Sequence, residues 1–260
     1  MYSILTKSVN DEDRSRTSLA SLANLKPPER ISTGVPEFDK VLGGGIVPGM
    51  VLLIGGRRGS GKSTLLIQAA NGYVQVSQKR ALIASGEMNR EDIALFAQRF
   101  GTLSENVDVL GNEGDVYKIV SECEERKPGL LILDSINTSY VDDAGGDVGS
   151  TTQVDACANY LTSFAKATKT AVFMISHLNK EGDFASSEKI QHLVDVLIIL
   201  IPGPIANDEG VLIDGTDDVV ELIIDDKNRY GPKNVRAHLE MTEHGLLPLH
   251  GDAAEPGDLL

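Results

Sequence analysis

Short, continuously apolar runs alternate with amphipathic stretches through the middle of the chain. The apolar runs predict strands at Met50–Gly55, Arg80–Ser85, Val107–Leu110, Leu130–Asp134 and Ala171–Ser176. The amphipathic stretches predict helices at Pro36–Leu42, Lys62–Val76, Arg90–Phe100, Asp115–Glu125 and Thr152–Thr168. Strands that are apolar throughout, rather than alternating, are typical of a parallel sheet that helices cover on both faces.

The last third of the chain has a different pattern. It predicts strands without long helices between them, at Asp195–Ile201, Val219–Asp225 and Val235–Met241. Such strands suit antiparallel additions to the edge of the sheet. The predicted fold class is therefore α/β, a mostly parallel central sheet with antiparallel strands added at its C-terminal edge. We expect a flexible N-terminal arm at 1–28, one domain at 29–250 and an acidic tail at 251–260.

Composition narrows the classes of function. The net charge of −14 argues against a protein that coats nucleic acid through a basic surface, although a local groove or the lumen of a ring could still hold it. The two cysteines, Cys123 and Cys157, form no CxxC pair, which excludes a cysteine zinc module and a disulfide framework. The longest apolar run, Val194–Ile201, is too short to span a bilayer, so we expect a cytoplasmic protein without a membrane partner.

The clearest motif is a glycine loop between a predicted strand and a predicted helix, which matches G-x-x-x-x-G-K-[ST]. Its backbone amides and the helix N-terminus are suited to binding the phosphates of ATP. In this motif Lys62 reaches the β- and γ-phosphates and the Ser63 hydroxyl binds Mg²⁺. The residues expected to bind nucleotide are Gly56, Arg57, Arg58, Gly59, Ser60, Gly61, Lys62, Ser63 and Thr64.

Further candidates lie at the ends of other predicted strands. Asp134 ends the strand LLILD, where a carboxylate holds the magnesium of P-loop proteins. Glu87 follows the strand RALIAS and is a candidate for activating the attacking water, although an acid at a helix start would fit equally well. His177 ends the strand AVFMIS, where it could sense the γ-phosphate or be structural.

Lys227 and Arg229 flank Asn228 at a tight turn after a predicted strand. The pattern fits a surface hairpin, and it also fits cations that reach the nucleotide of an adjacent subunit, as arginine fingers do. Spacing alone does not decide between these interpretations.

Several segments together resemble the central ATPase domain of the bacterial RadA/Sms recombination proteins, within the RecA superfamily. The matching segments span residues 30 to 250: RISTGVPEFDKVLGGGIVPG, GGRRGSGKST, SGE, LLILDSINT, GSTTQV, SHLNKEG, HLVD, KNRYG and the GL at Gly245-Leu246. KNRYG after SHLNKEG at this distance is the most specific part of the pattern.

The resemblance implies a RecA-like fold and a homo-oligomer, a hexameric ring or filament, with ATP at the subunit interfaces. It implies that Glu87 is the catalytic acid/base, that His177 senses the γ-phosphate and that Lys227 and Arg229 act in trans. It also implies single-stranded DNA as partner, facing two loops at 137–152 and 178–189, with Lys180 and Lys189 as candidate phosphate contacts.

The sequence departs from the RadA pattern in four respects. The matching segments include neither a four-cysteine zinc finger nor a protease-like C-terminal domain, so we expect a compact RecA-core protein that resembles the short RadA-like recombinases of bacteriophages. Arg57 and Arg58 replace an acidic-Pro pair in the loop. The first DNA-facing loop carries Asp142, Asp143 and Asp147, which would repel a phosphate backbone.

Two other functions share the core features. A signalling ATPase of the KaiC type has the same STGVPEFD…GGG opening but usually carries two tandem cores. A scaffold that uses ATP only to hold subunits together would need neither Glu87 nor the pair Lys227 and Arg229. A DNA-dependent ATPase of recombination, with a helicase or translocase as a variant, accounts for more of the residues.

Overall fold

The computed structural model describes residues 18–19, 24–101, 103–178, 188–204, 218–224 and 227–249. The predicted tail lies outside these residues, and of the predicted arm only 18–19 and 24–28 are described. Lys180 and most of the second DNA-facing loop also lie outside them.

Strands and helices alternate along the first two thirds of the described chain. The helices are α1 Pro36–Leu42, α2 Lys62–Ser77, α3 Arg90–Ala97, α4 Val116–Arg126, α5 Thr151–Thr168 and α6 Glu188–Leu193. The strands are β1 Val51–Gly56, β2 Ala81–Ser85, β3 Val107–Gly111, β4 Leu130–Asp134, β5 Ala171–His177, β6 Val196–Pro202, β7 Val219–Ile224, β8 Val235–Thr242 and β9 Gly245–Pro248.

The nine strands form one sheet in the order β3-β2-β4-β5-β1-β6-β7-β8-β9. The pairs from β3 through β6 are parallel, and those from β6 through β9 are antiparallel. β1 lies between β5 and β6, with a parallel partner on each side. The predicted antiparallel strands therefore do extend the sheet at its C-terminal edge.

Each face of the sheet has its own core because successive side chains of a strand point to opposite faces. Leu52 and Ile54 of β1 pack with α1, α2 and α3. Val51 and Leu53 pack with α4, α5 and α6 on the other face. This two-sided burial explains why the central strands are apolar throughout.

Three local predictions differ from the structure. The helix predicted to end at Phe100 changes to a 3₁₀ turn after Ala97. The helix α6 begins at Glu188, inside the predicted second loop. The pattern does not predict it because six residues are too few for a clear helical period. The sequence marks β9 only as a GL element, since a strand of four residues also carries little periodic signal.

Candidate active site at the carboxyl edge of the sheet

The glycine loop connects β1 to α2 and holds the side chain of Lys62. Gly59 and Gly61 have φ values of +78° and +89°, which side chains other than glycine rarely adopt. Lys62 is 5% exposed, and its Nζ donates to the carbonyls of Gly56 and Arg57, both at 2.8 Å. Burial lowers the pKa of Lys62, while Asp134 and Glu87 act to raise it. The loop thus keeps an ammonium group close to where a phosphate would lie.

Ser63 and Asp134 meet directly beside Lys62. The Ser63 hydroxyl donates to Oδ2 of Asp134 at 2.6 Å. Burial raises the pKa of Asp134, although the Ser63 hydrogen bond lowers it in part. A hydroxyl and a carboxylate are the hard oxygen donors that Mg²⁺ prefers, and Mg²⁺ commonly takes its other ligands from phosphate and water. This pair therefore fits the predicted magnesium site.

Glu87 lies across the cleft and contacts two elements through hydrogen bonds. Ser135 Oγ donates to Glu87 Oε1 at 2.8 Å, and His177 Nε2 lies 3.2 Å from the same oxygen. Burial pushes the pKa of Glu87 upward, but the bonds from Ser135 and His177 and the charge of Arg58 outweigh it and hold the pKa below its ordinary value. Glu87 is therefore kept ionised, as a group that accepts a proton must be.

His177 is fixed through its backbone. Its amide donates to Asn137 Oδ1 at 3.2 Å, and the Ser176 hydroxyl donates to the same oxygen at 3.4 Å. Its ring nitrogen Nδ1 is buried and has no hydrogen-bond partner among the described residues. Sequence reasoning missed Ser135 and Asn137 as site residues, although both stand in the segment LLILDSINT.

The whole cleft, with the phosphate loop as part of its lining, has a volume of about 590 Å³, within the range of small-molecule sites. Its outer wall contains Met88, Phe96, Arg99 and Met241. The Arg99 guanidinium lies 5.4 Å from the centre of the Phe96 ring and donates to the carbonyl of Glu243 at 3.2 Å. Sequence reasoning missed this wall, although the spacing of three between Phe96 and Arg99 places both on one face of a helical stretch.

The unusual pair Arg57 and Arg58 is exposed. Arg58 lines the cleft and helps to lower the pKa of Glu87. Arg57 contributes its backbone carbonyl to Lys62. In the described structure the side chain of Arg58 therefore supplies positive charge to the site, while nothing explains the side chain of Arg57.

The structure does not bring Lys227 and Arg229 to this cleft. Lys227 Nζ donates to the carbonyls of Gln191 and His192, the latter at 2.8 Å. Arg229 NH1 donates to Oδ1 of Asp195 at 3.0 Å. Asp195 pairs through its backbone with Val51, the first residue of β1, whereas the glycine loop follows the last residue of β1. A strand of six residues spans about 17 Å, so the two cations lie at the opposite edge of the sheet.

Several hydrogen bonds anchor the first predicted DNA-facing loop, one of them from the Tyr117 hydroxyl to Oδ2 of Asp143 at 3.2 Å. Gln153 is 4% exposed, accepts from the Val141 amide at 2.9 Å and donates to the Ala144 carbonyl at 2.7 Å. The loop's acidic residues Asp142, Asp143 and Asp147 remain exposed. From the second loop, Lys189 is exposed, and its Nζ lies 3.9 Å from an oxygen of Asp155.

Comparison with known proteins identifies the family of this chain. The model of the AAA_25 family, an AAA domain, matches residues 19–183. The chain belongs to this family. It is 37% identical to the DNA repair protein RadA of Escherichia coli K12 over 226 residues, which are 86% of the chain and 46% of that protein. It is 42% identical to RadA of Mycobacterium tuberculosis H37Rv over 167 residues, 64% of the chain and 35% of that protein.

The AAA_25 chain thus has a RadA-like ATPase core of the RecA superfamily and spans about half or less of the length of these curated relatives. Its fold matches a DnaB-like replicative helicase with a TM-score of 0.70 at 16% identity, over 90% of the chain and 68% of that structure. It matches a second solved structure, an isolated ATPase domain, with a TM-score of 0.69 at 17% identity, over 88% and 94%. The predicted RecA-like fold is confirmed. In the described part of the AAA_25 chain, no helix has the length and apolarity required to cross a bilayer.

The hydrogen bond from Ser135 gives a direct test of the electrostatics of Glu87. Replacing Ser135 by Ala removes a donor to the carboxylate, so the pKa of Glu87 should rise from its lowered value. An NMR titration of the carbon-13-labelled Glu side chains measures this change. Ser121→Ala, an exposed serine on α4, is the control and should leave the titration of Glu87 unchanged. An unaltered pKa in Ser135→Ala would show that this bond does not govern the charge of Glu87.

Proposed function

We propose that the chain hydrolyses ATP at sites shared between subunits of a homo-oligomer, a hexameric ring or filament, and that it acts on single-stranded DNA in recombination or repair. The observation that carries the proposal is the division of the predicted site residues. Lys62, Ser63, Glu87 and Asp134 converge at one edge of the sheet, while the pair of cations lies at the other.

Binding falls to the glycine loop and its neighbours. The buried ammonium of Lys62, now held by two carbonyls, turns its donors to the β- and γ-phosphates when ATP enters. Ser63 and Asp134 would hold Mg²⁺, which neutralises the charge that develops on the phosphates. The nucleoside would lie against the part of the cleft that Phe96 and Arg99 line.

Hydrolysis requires a water aligned with the γ-phosphorus. In the proposal Glu87, kept ionised by Ser135 and His177, orients this water and accepts its proton. The ring nitrogen Nε2 of His177 contacts Oε1 of Glu87. A γ-phosphate that draws the ring away would therefore alter the electrostatic environment of the Glu87 carboxylate. This contact supports His177 as the sensor of the γ-phosphate.

Lys227 and Arg229 act on ATP bound by a neighbouring subunit. Their position at the opposite edge of the sheet leaves them too far from their own glycine loop to reach its ligand. Arginine fingers that act in trans stabilise charge in the transition state of phosphoryl transfer and commonly raise kcat about 10³- to 10⁵-fold. Assembly is therefore required for turnover.

The names of the relatives and the charges of the two loops support action on DNA. Curated relatives are DNA repair proteins, and one of the matched structures is that of a DnaB-like replicative helicase. The acidic first loop is poorly suited to phosphates, which favours the second loop, with Lys180 and Lys189, as the segment that binds the DNA backbone. Such contacts release counterions and weaken as salt rises.

Replacing Glu87 by Gln tests the catalytic role. The amide cannot accept the proton of water, so kcat should fall about 10²- to 10⁴-fold while ATP binding and assembly persist. Steady-state phosphate release, together with sedimentation in the presence of an ATP analogue, measures both. Glu91→Gln, an exposed change on α3, is the matched control and should leave kcat unchanged. Unchanged turnover in Glu87→Gln would remove this assignment.

Stimulation of ATP turnover by single-stranded DNA tests the proposed action on DNA. We expect ATP turnover to rise with added oligothymidylate, and log affinity to fall with log salt by about 0.7 per phosphate contacted. Lys189→Gln should make this slope shallower, whereas Lys79→Gln, an exposed change just before β2, should not. Turnover that is indifferent to DNA at every salt concentration contradicts this part, and phosphate appearing on the protein would instead indicate a KaiC-type activity.

A further inference from the structure

Asp195 is a buried carboxylate that joins three parts of the fold. It is 1% exposed. Its Oδ2 accepts from the Val51 amide at 2.9 Å and from Lys166 Nζ of α5, and its Oδ1 accepts from Arg229 NH1 at 3.0 Å. Burying an ionised carboxylate away from water costs free energy unless the carboxylate is paired and hydrogen-bonded. Both of its oxygens are paired here, one of them with Arg229.

Arg229 is attached to Asp195 at two points. Its backbone amide donates to the Asp195 carbonyl at 3.0 Å, and its side chain reaches the Asp195 carboxylate. The guanidinium uses NH1 for this bond and has no other hydrogen bond among the described residues, and the side chain is 55% exposed. The remaining donors of its planar fork therefore face solvent, in an orientation that the buried end fixes.

Lys227 is held by the same short segment. Its Nζ donates to the carbonyls of Gln191 and His192 at the end of α6, a few residues before Asp195. Its own carbonyl accepts from the Leu197 amide at 3.0 Å, which ties the turn to β6. Both cations are thus placed by residues 191–197 rather than by contacts of their own turn.

We propose that Asp195 is a positioning residue, which orients Arg229 toward a nucleotide that a neighbouring copy of the chain binds. The inference rests on the trans action put forward under the proposed function. A long side chain that is already fixed loses less conformational freedom when it binds a phosphate. Asp195 thereby acts on a site in another subunit without touching the nucleotide.

The test removes the carboxylate without leaving a lone charge in its place. Asp195→Asn alone would leave Lys166 with the Gly49 carbonyl as an acceptor but without its carboxylate partner, so the working variant is Asp195→Asn with Lys166→Met, which exchanges both partners of the pair. Lys166→Met alone is the matched control, because Asp195 then keeps its bond to Arg229. Thermal unfolding of each variant compares the stability of the folds.

We expect the paired variant to lose about 10- to 100-fold in kcat, the cost of a misplaced catalytic group, with KM for ATP changed less than about twofold. Lys166→Met alone should keep kcat close to that of the unmodified protein. Adding Arg229→Ala to the paired variant should lower kcat no further than Arg229→Ala does by itself, because Asp195 acts through Arg229. A purely structural role for Asp195 predicts losses that multiply.

The outcomes separate the two proposals. If Arg229→Ala keeps its kcat, the trans action fails, and the positioning role fails with it. If Arg229→Ala loses kcat while the paired variant keeps it, or if the two losses multiply, only the positioning role of Asp195 is overturned. A paired variant that melts far below Lys166→Met and loses ATP binding also overturns it, since Asp195 would then serve the fold.

Discussion

The parallel pairing of β1 on both sides is the constraint from which the arrangement of the site follows. The carboxyl ends of parallel strands meet at the same edge of a sheet, so the glycine loop, Asp134 and His177 lie together at that edge. The same pairing places the start of β6, with Asp195 before it, at the other edge. One chain therefore carries a nucleotide cleft on one edge and two fixed cations on the opposite edge. This division of charged groups supports the proposed assembly of the chain with copies of itself.

The two edges each contain a buried carboxylate, and the partners of these two carboxylates differ. Asp195 is satisfied within its own chain, by Lys166, Arg229 and a backbone amide. Asp134 has the Ser63 hydroxyl as its hydrogen-bond donor, and burial raises its pKa. A carboxylate in this state gains from a cation brought by a ligand, which is the expected behaviour of a magnesium site. The nucleotide edge is thus incomplete by itself, while the cation edge is already ordered.

Most of the fold could be predicted from the sequence because its strands are buried on both faces and its helices are amphipathic, two strong periodic signals. The glycine loop, Asp134 and Glu87 could be found because strand ends in such a sheet bring functional residues together. Ser135, Phe96 and Arg99 were missed because their contacts depend on side-chain directions across separate elements. The partners of Lys227 and Arg229 were also beyond sequence reasoning, since the chain spacing does not show that Asp195 is buried beside them. The short elements α6 and β9 lack enough residues for a periodic pattern.

The most direct test of a shared site mixes two defective forms of the chain. Lys62→Ala lacks a working cleft but keeps Arg229, whereas Arg229→Ala keeps its cleft, and each form should be inactive alone. In an assembly formed from equal amounts of both, about a quarter of the interfaces would join an intact cleft to an intact Arg229. The account predicts that ATP turnover reappears on mixing, in proportion to those interfaces. Turnover that stays at the level of the separate forms, in assemblies shown to contain both, would contradict it.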